Sequence, residues 1–195
     1  MENRRVDRAA VVVGAQTVLD ADAVARAIRR VAVEIVERTR GTEGLGLVGI
    51  RRGGVPIAAR IAREIEGAEG RAVPVGSLDI TLYRDDAAVA LPDPKIGPSE
   101  VPFEVEGRDV VLVDDVLHTG RTVRAAIDGL LDYGRPRRIW LAVLCDRGGR
   151  ELPLAPDFVG RAIEVPAGQL LDVVAEGGPG DGAVLRPAPA KDAAR

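Results

Sequence analysis

Short β-branched runs alternate along this chain with stretches of helical period, and that alternation leaves few folds open. Val24, Ile28, Val31 and Ile35 recur at helical spacing, with Asp20 placed to cap the start and Gly41 to stop the end. Leu45 to Ile50 is an apolar run too short for a helix and reads as a buried strand. Pro56 suits the first turn of a helix whose Ile57, Ile61 and Ile65 share a face. Val73 to Leu82, Val110 to Val113 and Ile139 to Leu144 read as further strands, and a helix runs from about Arg121 to Tyr133, closed by Gly134. Strands buried on both faces and separated by helices predict an α/β fold: a parallel sheet of about five strands flanked by helices. Such sheets bind ligands beyond the carboxyl ends of their strands, which directs attention to the residues after Ile50, Val113 and Leu144.

Two regions break the alternation. Pro92, Pro94, Gly97, Pro98 and Pro102 forbid regular structure between Arg84 and Glu104, so this is a long loop of the kind that serves as a lid. Past Cys145 the chain turns irregular, with strand-like pieces at Phe158 to Val165, Leu170 to Ala175 and Ala183 to Leu185 and a turn at Gly177 to Gly182. We expect a single domain over residues 1–186, a small hood built mainly from 146–186, and a frayed tail over 187–195.

Composition narrows the function classes. The balance of 27 basic against 30 acidic residues argues against a generic polyanion binder, which needs a cationic surplus. Lys95 and Lys191 are the only lysines, so the positive charge is nearly all guanidinium, suited to bidentate grip on phosphate or carboxylate. One cysteine, Cys145, excludes an internal disulfide and a cysteine-built zinc site. No apolar run approaches the roughly 20 residues of a membrane span, and Met1 to Arg8 lack an apolar signal core, so a cytoplasmic setting is expected.

The chemistry concentrates after the Val110 to Val113 run: Asp114-Asp115-Val116-Leu117-His118-Thr119-Gly120-Arg121-Thr122, then a helix. Thr119 to Thr122 bring small side chains and backbone N–H groups to a helix N-terminus, a cradle for phosphate. Carboxylates repel phosphate, so Asp114 and Asp115 beside that cradle make sense where the ligand also has ribose hydroxyls to hold and a divalent metal to neutralise charge. Arg51 and Arg52 beside Gly53-Gly54, at the end of the Leu45 to Ile50 strand, are a second candidate phosphate contact.

The Asp114 to Thr122 segment resembles the phosphoribosyl-pyrophosphate signature of the type I phosphoribosyltransferases. Asp79-Ile80-Thr81-Leu82-Tyr83-Arg84-Asp85-Asp86, Gly134-Arg135-Pro136 and Asp146-Arg147-Gly148-Gly149-Arg150-Glu151-Leu152-Pro153 narrow the resemblance to the PyrR family, pyrimidine-operon regulators that also act as uracil phosphoribosyltransferases. The match runs from about Leu19 to Arg161. It implies the type I phosphoribosyltransferase fold, with uracil and phosphoribosyl pyrophosphate as substrates, UMP and pyrophosphate as products, and Mg²⁺ as cofactor. It implies catalytic roles for Asp114, Asp115 and Arg84, with Asp114 and Asp115 reaching the metal indirectly, through ribose or water. Val113, Val116, Leu117, His118, Thr119, Gly120, Arg121 and Thr122 would contact the ribose phosphate. Arg51, Arg52 and Gly53 would face pyrophosphate, Tyr83 and Asp85 would open the lid, and Asp146 and Arg147 would lie near the base. It also implies a homodimer or higher homo-oligomer.

Three departures from the family pattern stand out. Arg52-Gly53-Gly54 stands where the family reads Thr-Arg-Gly, which displaces an arginine by one place. His118 replaces a tyrosine. Among residues implied to touch messenger RNA, Arg30, Arg38, Arg150 and Arg161 keep a basic pattern, but Val33 and Gly149 replace histidines and Ala155 an arginine. Binding of the pyrimidine-operon mRNA leader is therefore expected to be weakened or absent. The alternatives carried forward are a purine-type transferase and a UMP-sensing regulator with vestigial catalysis.

Overall fold

The computed structural model describes residues 15–83 and 98–189. The expected lid positions Arg84, Asp85 and Asp86, Pro92, Pro94, Lys95 and Gly97, the leading Met1 to Arg8 segment, and the tail from 190 onward lie outside the described residues. In chain order the elements are β1 (Gln16–Leu19), α1 (Ala21–Thr39), β2 (Leu45–Ile50), α2 (Gly54–Glu69), β3 (Val75–Leu78), a 3-10 turn (Thr81–Tyr83), β4 (Asp109–Leu117), α3 (Arg121–Leu131), β5 (Arg138–Asp146), β6 (Phe158–Ala162), β7 (Gln169–Val174) and β8 (Gly182–Pro187).

Five strands form the parallel sheet, in the order β3-β2-β4-β5-β6. Two apolar layers cover it. Val24, Ile28, Val31 and Ile35 of α1 pack with Ile57, Ile61 and Ile65 of α2 on one face, and Val123, Ala126 and Leu130 of α3 cover the other. The Asp20 side chain caps α1 by accepting from Ala23 N at 2.7 Å, and Gly41 N closes it on Val36 O.

Several boundaries differ from the sequence expectation for local reasons. The strand expected over Val73 to Leu82 is only Val75–Leu78, because Asp79 accepts from Thr81 N at 2.9 Å and turns the chain into the 3-10 turn. The helix expected to reach Tyr133 ends at Leu131. β4 runs past Val113 to Leu117, carrying Asp114 and Asp115 inside the strand, because β5 continues beside it as far as Asp146. The Phe158 to Val165 piece, expected in the hood, joins the parallel sheet as β6. The hood itself is not irregular. It is an antiparallel sheet in the order β1-β8-β7, and β1 had no expectation at all. Pro187, where a frayed tail was expected to begin, is the last residue of β8, and Ala188 N donates to Gly168 O.

Among the described residues no helix is long and apolar enough to cross a membrane.

Candidate active site

β2 and β4 are neighbours, and the helices that follow them, on opposite faces, both start at the carboxyl ends of the sheet. Neither start has a side-chain cap: α2 begins on Gly53 and α3 on Gly120. First-turn N–H groups have no intrahelical partner, so both starts present donors.

Successive strand residues face opposite sides, so in-strand placement splits the acidic pair. Asp114 turns inward and is 5 % exposed. Its Oδ1 accepts from Asp115 N at 3.0 Å, and burial, reinforced by the Asp115 charge, pushes its carboxyl well above the usual range. Asp115 turns toward α2 with Oδ1 accepting from Val116 N at 2.8 Å. A Cβ on Gly53 would meet Asp115 Oδ2 at 2.0 Å, and one on Gly54 would meet Val113 O at the same distance. Bare backbone at both positions is what lets the start of α2 settle onto the acidic pair.

The loop between β4 and α3 is held by the segment after β5. Arg147 N donates to Leu117 O, Arg150 Nη1 to His118 O at 2.9 Å, and Glu151 N and Leu152 N both to Thr119 O. These bonds occupy the loop's carbonyls rather than its amides. Arg121 N is taken by Thr119 Oγ1 at 3.3 Å, and the Arg121 side chain pairs with Glu151 at 2.7 Å. Gly120 sits at φ +92° with Leu152 and Leu154 behind it. The two motifs singled out in the sequence are thus one structural unit.

Other expected residues fall as follows. Val113 and Leu117 have fully buried side chains, so a ligand can meet only their backbone. Val116 is half-buried, and Thr122 lies in the first turn of α3. Arg51 donates to Ser77 Oγ at 3.2 Å, while its Nε and that of Arg147 are buried without a hydrogen-bond partner among the described residues. Arg52 is exposed. Asp146 accepts from Gly148 N and pairs with Arg150 at 2.7 Å; although burial opposes it, these partners hold its carboxyl below the usual range. His118 lies against Gly149, where a Cβ would approach Nε2 to 2.7 Å, so the two departures from the family pattern are packed together. Burial, Arg147 and Arg150 lower its imidazole, against Glu151. Tyr83 is turned onto α3: its ring lies over Gly129, its hydroxyl donates to Asp132, and its carbonyl accepts from Arg124. The Asp132 contact is also the main cause that raises its phenol. Cys145 is buried, and that burial, with the Asp115 charge, pushes its thiol up to about 12.

The arginines implied in RNA contact are partly spent inside the protein. Arg30 donates to Val159 O at 2.9 Å and to Gly160 O, and Arg38 stacks 5.6 Å from the Trp140 ring centroid. Arg150 serves the site as described, and Arg161 is exposed on β6.

A cleft of about 290 Å³ opens between Arg52, Gly53, Pro56 and Asp115 on one side and Val173, Val174, Ala175 and Glu176 on the other. The second wall is the end of β7, inside the segment expected to form the hood but with no residue there singled out: it lies 58 positions or more downstream of Asp115 and carries no signature. A larger groove of about 630 Å³ between α1 and α2 touches none of the signature residues. Among the described residues no group of three or more His, Cys, Asp or Glu side chains converges as a metal cage.

The phosphoribosyl transferase domain family matches residues 14–171. The bifunctional protein PyrR of Roseiflexus sp. is 57 % identical over 150 residues, spanning 77 % of this chain and 82 % of the relative. That of Pelotomaculum thermopropionicum is 58 % identical over 146 residues, spanning 75 % and 81 %. The chain belongs to the PyrR family of phosphoribosyltransferases. The hypoxanthine phosphoribosyltransferase of Trypanosoma cruzi superposes with a TM-score of 0.63 at 19 % identity, covering 80 % of each chain. A hypoxanthine-guanine phosphoribosyltransferase from Bacillus anthracis gives 0.60 at 18 %, covering 76 % of this chain and 83 % of that one. At such identities these two establish the type I phosphoribosyltransferase fold alone.

Proposed function

We propose that this PyrR-family chain transfers the phosphoribosyl group of 5-phosphoribosyl 1-pyrophosphate to uracil, giving UMP and pyrophosphate, and regulates pyrimidine biosynthetic genes in the cytoplasm. The observation that carries the reading is the seating of Asp115 against Gly53 at the mouth of the Gly120-led phosphate loop. It gathers acids and two sets of amides where a phosphorylated ribose would lie. The α3 start would hold the 5′-phosphate. Asp114 and Asp115 would hold the ribose hydroxyls, and the Asp115 side chain would stabilise positive charge at the anomeric carbon as pyrophosphate leaves. The orphaned Nε atoms of Arg51 and Arg147 suit an anionic ligand. Mg²⁺, when bound, supplies charge neutralisation to pyrophosphate; adjacent carboxylates without a cage suit an ion kept by substrate oxygens and water.

Product formation from phosphoribosyl pyrophosphate with uracil, hypoxanthine or guanine, with and without Mg²⁺, tests this. UMP should form from uracil alone of the three, and purine nucleotide instead would overturn it. A UMP sensor with vestigial catalysis is the second reading, favoured by Gly53, which stands where the family carries an arginine and packs against Asp115. Weakened RNA binding is supported by Arg30 and Arg150, already engaged with backbone carbonyls. Tight, UMP-dependent retardation of the pyrimidine-operon leader in a gel would contradict it. Assembly as a homodimer or larger is checked by sedimentation.

A further inference from the structure

Between the hood and α2 lies a buried ion pair that the chemistry above does not use. Arg60 Nη1 is 2.6 Å from Asp181 Oδ2, with the two side chains 13 % and 3 % exposed. The same nitrogen donates to Ala175 O at 3.2 Å. Asp181 Oδ1 accepts from Gly177 N at 3.0 Å and from Gly178 N at 3.2 Å, which folds the β7–β8 turn around the carboxylate. Although burial opposes ionisation, these amides and Arg60 keep the carboxyl below its ordinary range.

The position of the pair matters more than its strength. Pro56, one helical turn before Arg60 on the same face of α2, lines the cleft beside Asp115. The opposite wall, Val173 to Glu176, ends at the turn that Asp181 organises, and Ala175 belongs to both wall and pair. One guanidinium therefore spans from the helix under the pyrophosphate-side loop to the strand that covers the cleft.

We propose that this cleft, roofed by the end of β7, receives the nucleobase, and that Arg60 and Asp181 are positioning residues that set its width by holding the β7 wall at a fixed distance from Asp115. This rests on the phosphoribosyl-transfer reading and adds to it a determinant of base affinity outside the signature motifs. A loosened wall should weaken base binding while leaving the phosphate loop and Asp115 in place, so KM for the base moves and kcat does not.

Steady-state synthesis of UMP by the full chain, varying uracil and phosphoribosyl pyrophosphate separately, tests it. Arg60→Met and Asp181→Asn should each raise KM for uracil about tenfold with kcat within about twofold, and the double variant should be no worse than either single one. Arg60→Lys, which keeps the cation, should recover most of the affinity. Should Arg60→Met fail to fold, Asp181→Asn, nearly isosteric, carries the test. Lower melting temperature with KM for uracil unchanged, or kcat falling with KM fixed, overturns the proposal. If the unaltered protein makes no UMP, the transfer reading has failed; calorimetric binding of UMP then reads the clasp on its own. About tenfold weaker binding in both variants supports it and equal binding overturns it.

Discussion

Among the described residues, the three helices that flank the parallel sheet begin in two different ways. α1 starts with Asp20, whose carboxylate satisfies a first-turn amide. α2 and α3 start on Gly53 and Gly120, which have no side chain to cap with, although Thr119 Oγ1 takes Arg121 N at the α3 start. All three bury an apolar stripe, so the difference is not one of packing. It lies in what the first turn faces: α1 opens beside the hood strand β1, α2 opens on Asp115, and α3 opens from the loop that ends the strand carrying Asp114 and Asp115. A cap is worth about 1 kcal/mol, and the molecule forgoes it at the two helix starts where a ligand's oxygens would take the amides. Local stability is relinquished where function needs unoccupied donors.

The largest expected effect breaks the comparison at its centre. Asp115→Asn should cut UMP formation by about 10³-fold while circular dichroism and melting temperature hold, since its neighbours donate to it from the backbone. Gly53→Arg restores the family's residue type but drives a Cβ into Asp115 Oδ2. We expect a loss of about 10²-fold in kcat/KM, and full activity would show that Asp115 can be reseated at no cost. Gly120→Ala forces an L-residue toward φ +92°, which should cost about 1–2 kcal/mol of stability and weaken nucleotide binding, measured by denaturation and calorimetry.

Asp114→Asn sharpens the comparison through pH. The folded protein raises the Asp114 carboxyl, so its linked stability is fully present below the ordinary value of 3.8 and is lost as pH rises through the folded value. At neutral pH the amide should therefore raise the melting temperature, by about 2–4 °C per kcal/mol recovered, and flatten its dependence on pH. The smallest effect is the control. Asp20→Ala should cost about 1 kcal/mol of stability and leave turnover unchanged.

The parallel core was readable because each of its signals is local. Leu45 to Ile50 is apolar throughout and bounded by glycine and arginine, and the strand has those limits. Asp20 was recognisable as a cap from its place before a helical stripe. Legibility failed where distant chain decides. β4 continues through Asp114 and Asp115, poor strand formers, because β5 offers a partner as far as Asp146. Nothing in Gln16 to Leu19 announces a strand. Its partner is β8, some 165 positions later, and four residues show no period. The candidate site divided the same way: the Thr119 to Thr122 loop, with its glycine and flanking threonines, lies within one window of sequence. The grip of residues 147–152 on that loop, the packing of Gly53 on Asp115, and the β7 wall required the third dimension.

The hood sheet joins Gln16–Leu19 to Gly182–Pro187, with the whole parallel sheet between them in sequence. A growing chain emerging from the ribosome can therefore complete β2 to β6, phosphate loop included, before the last strand of the hood exists. The older half of each new molecule would meet ribose phosphates at a time when nothing yet stands opposite Asp115 to choose among bases. On the proposed reading, discrimination among bases would be acquired late as the chain is made.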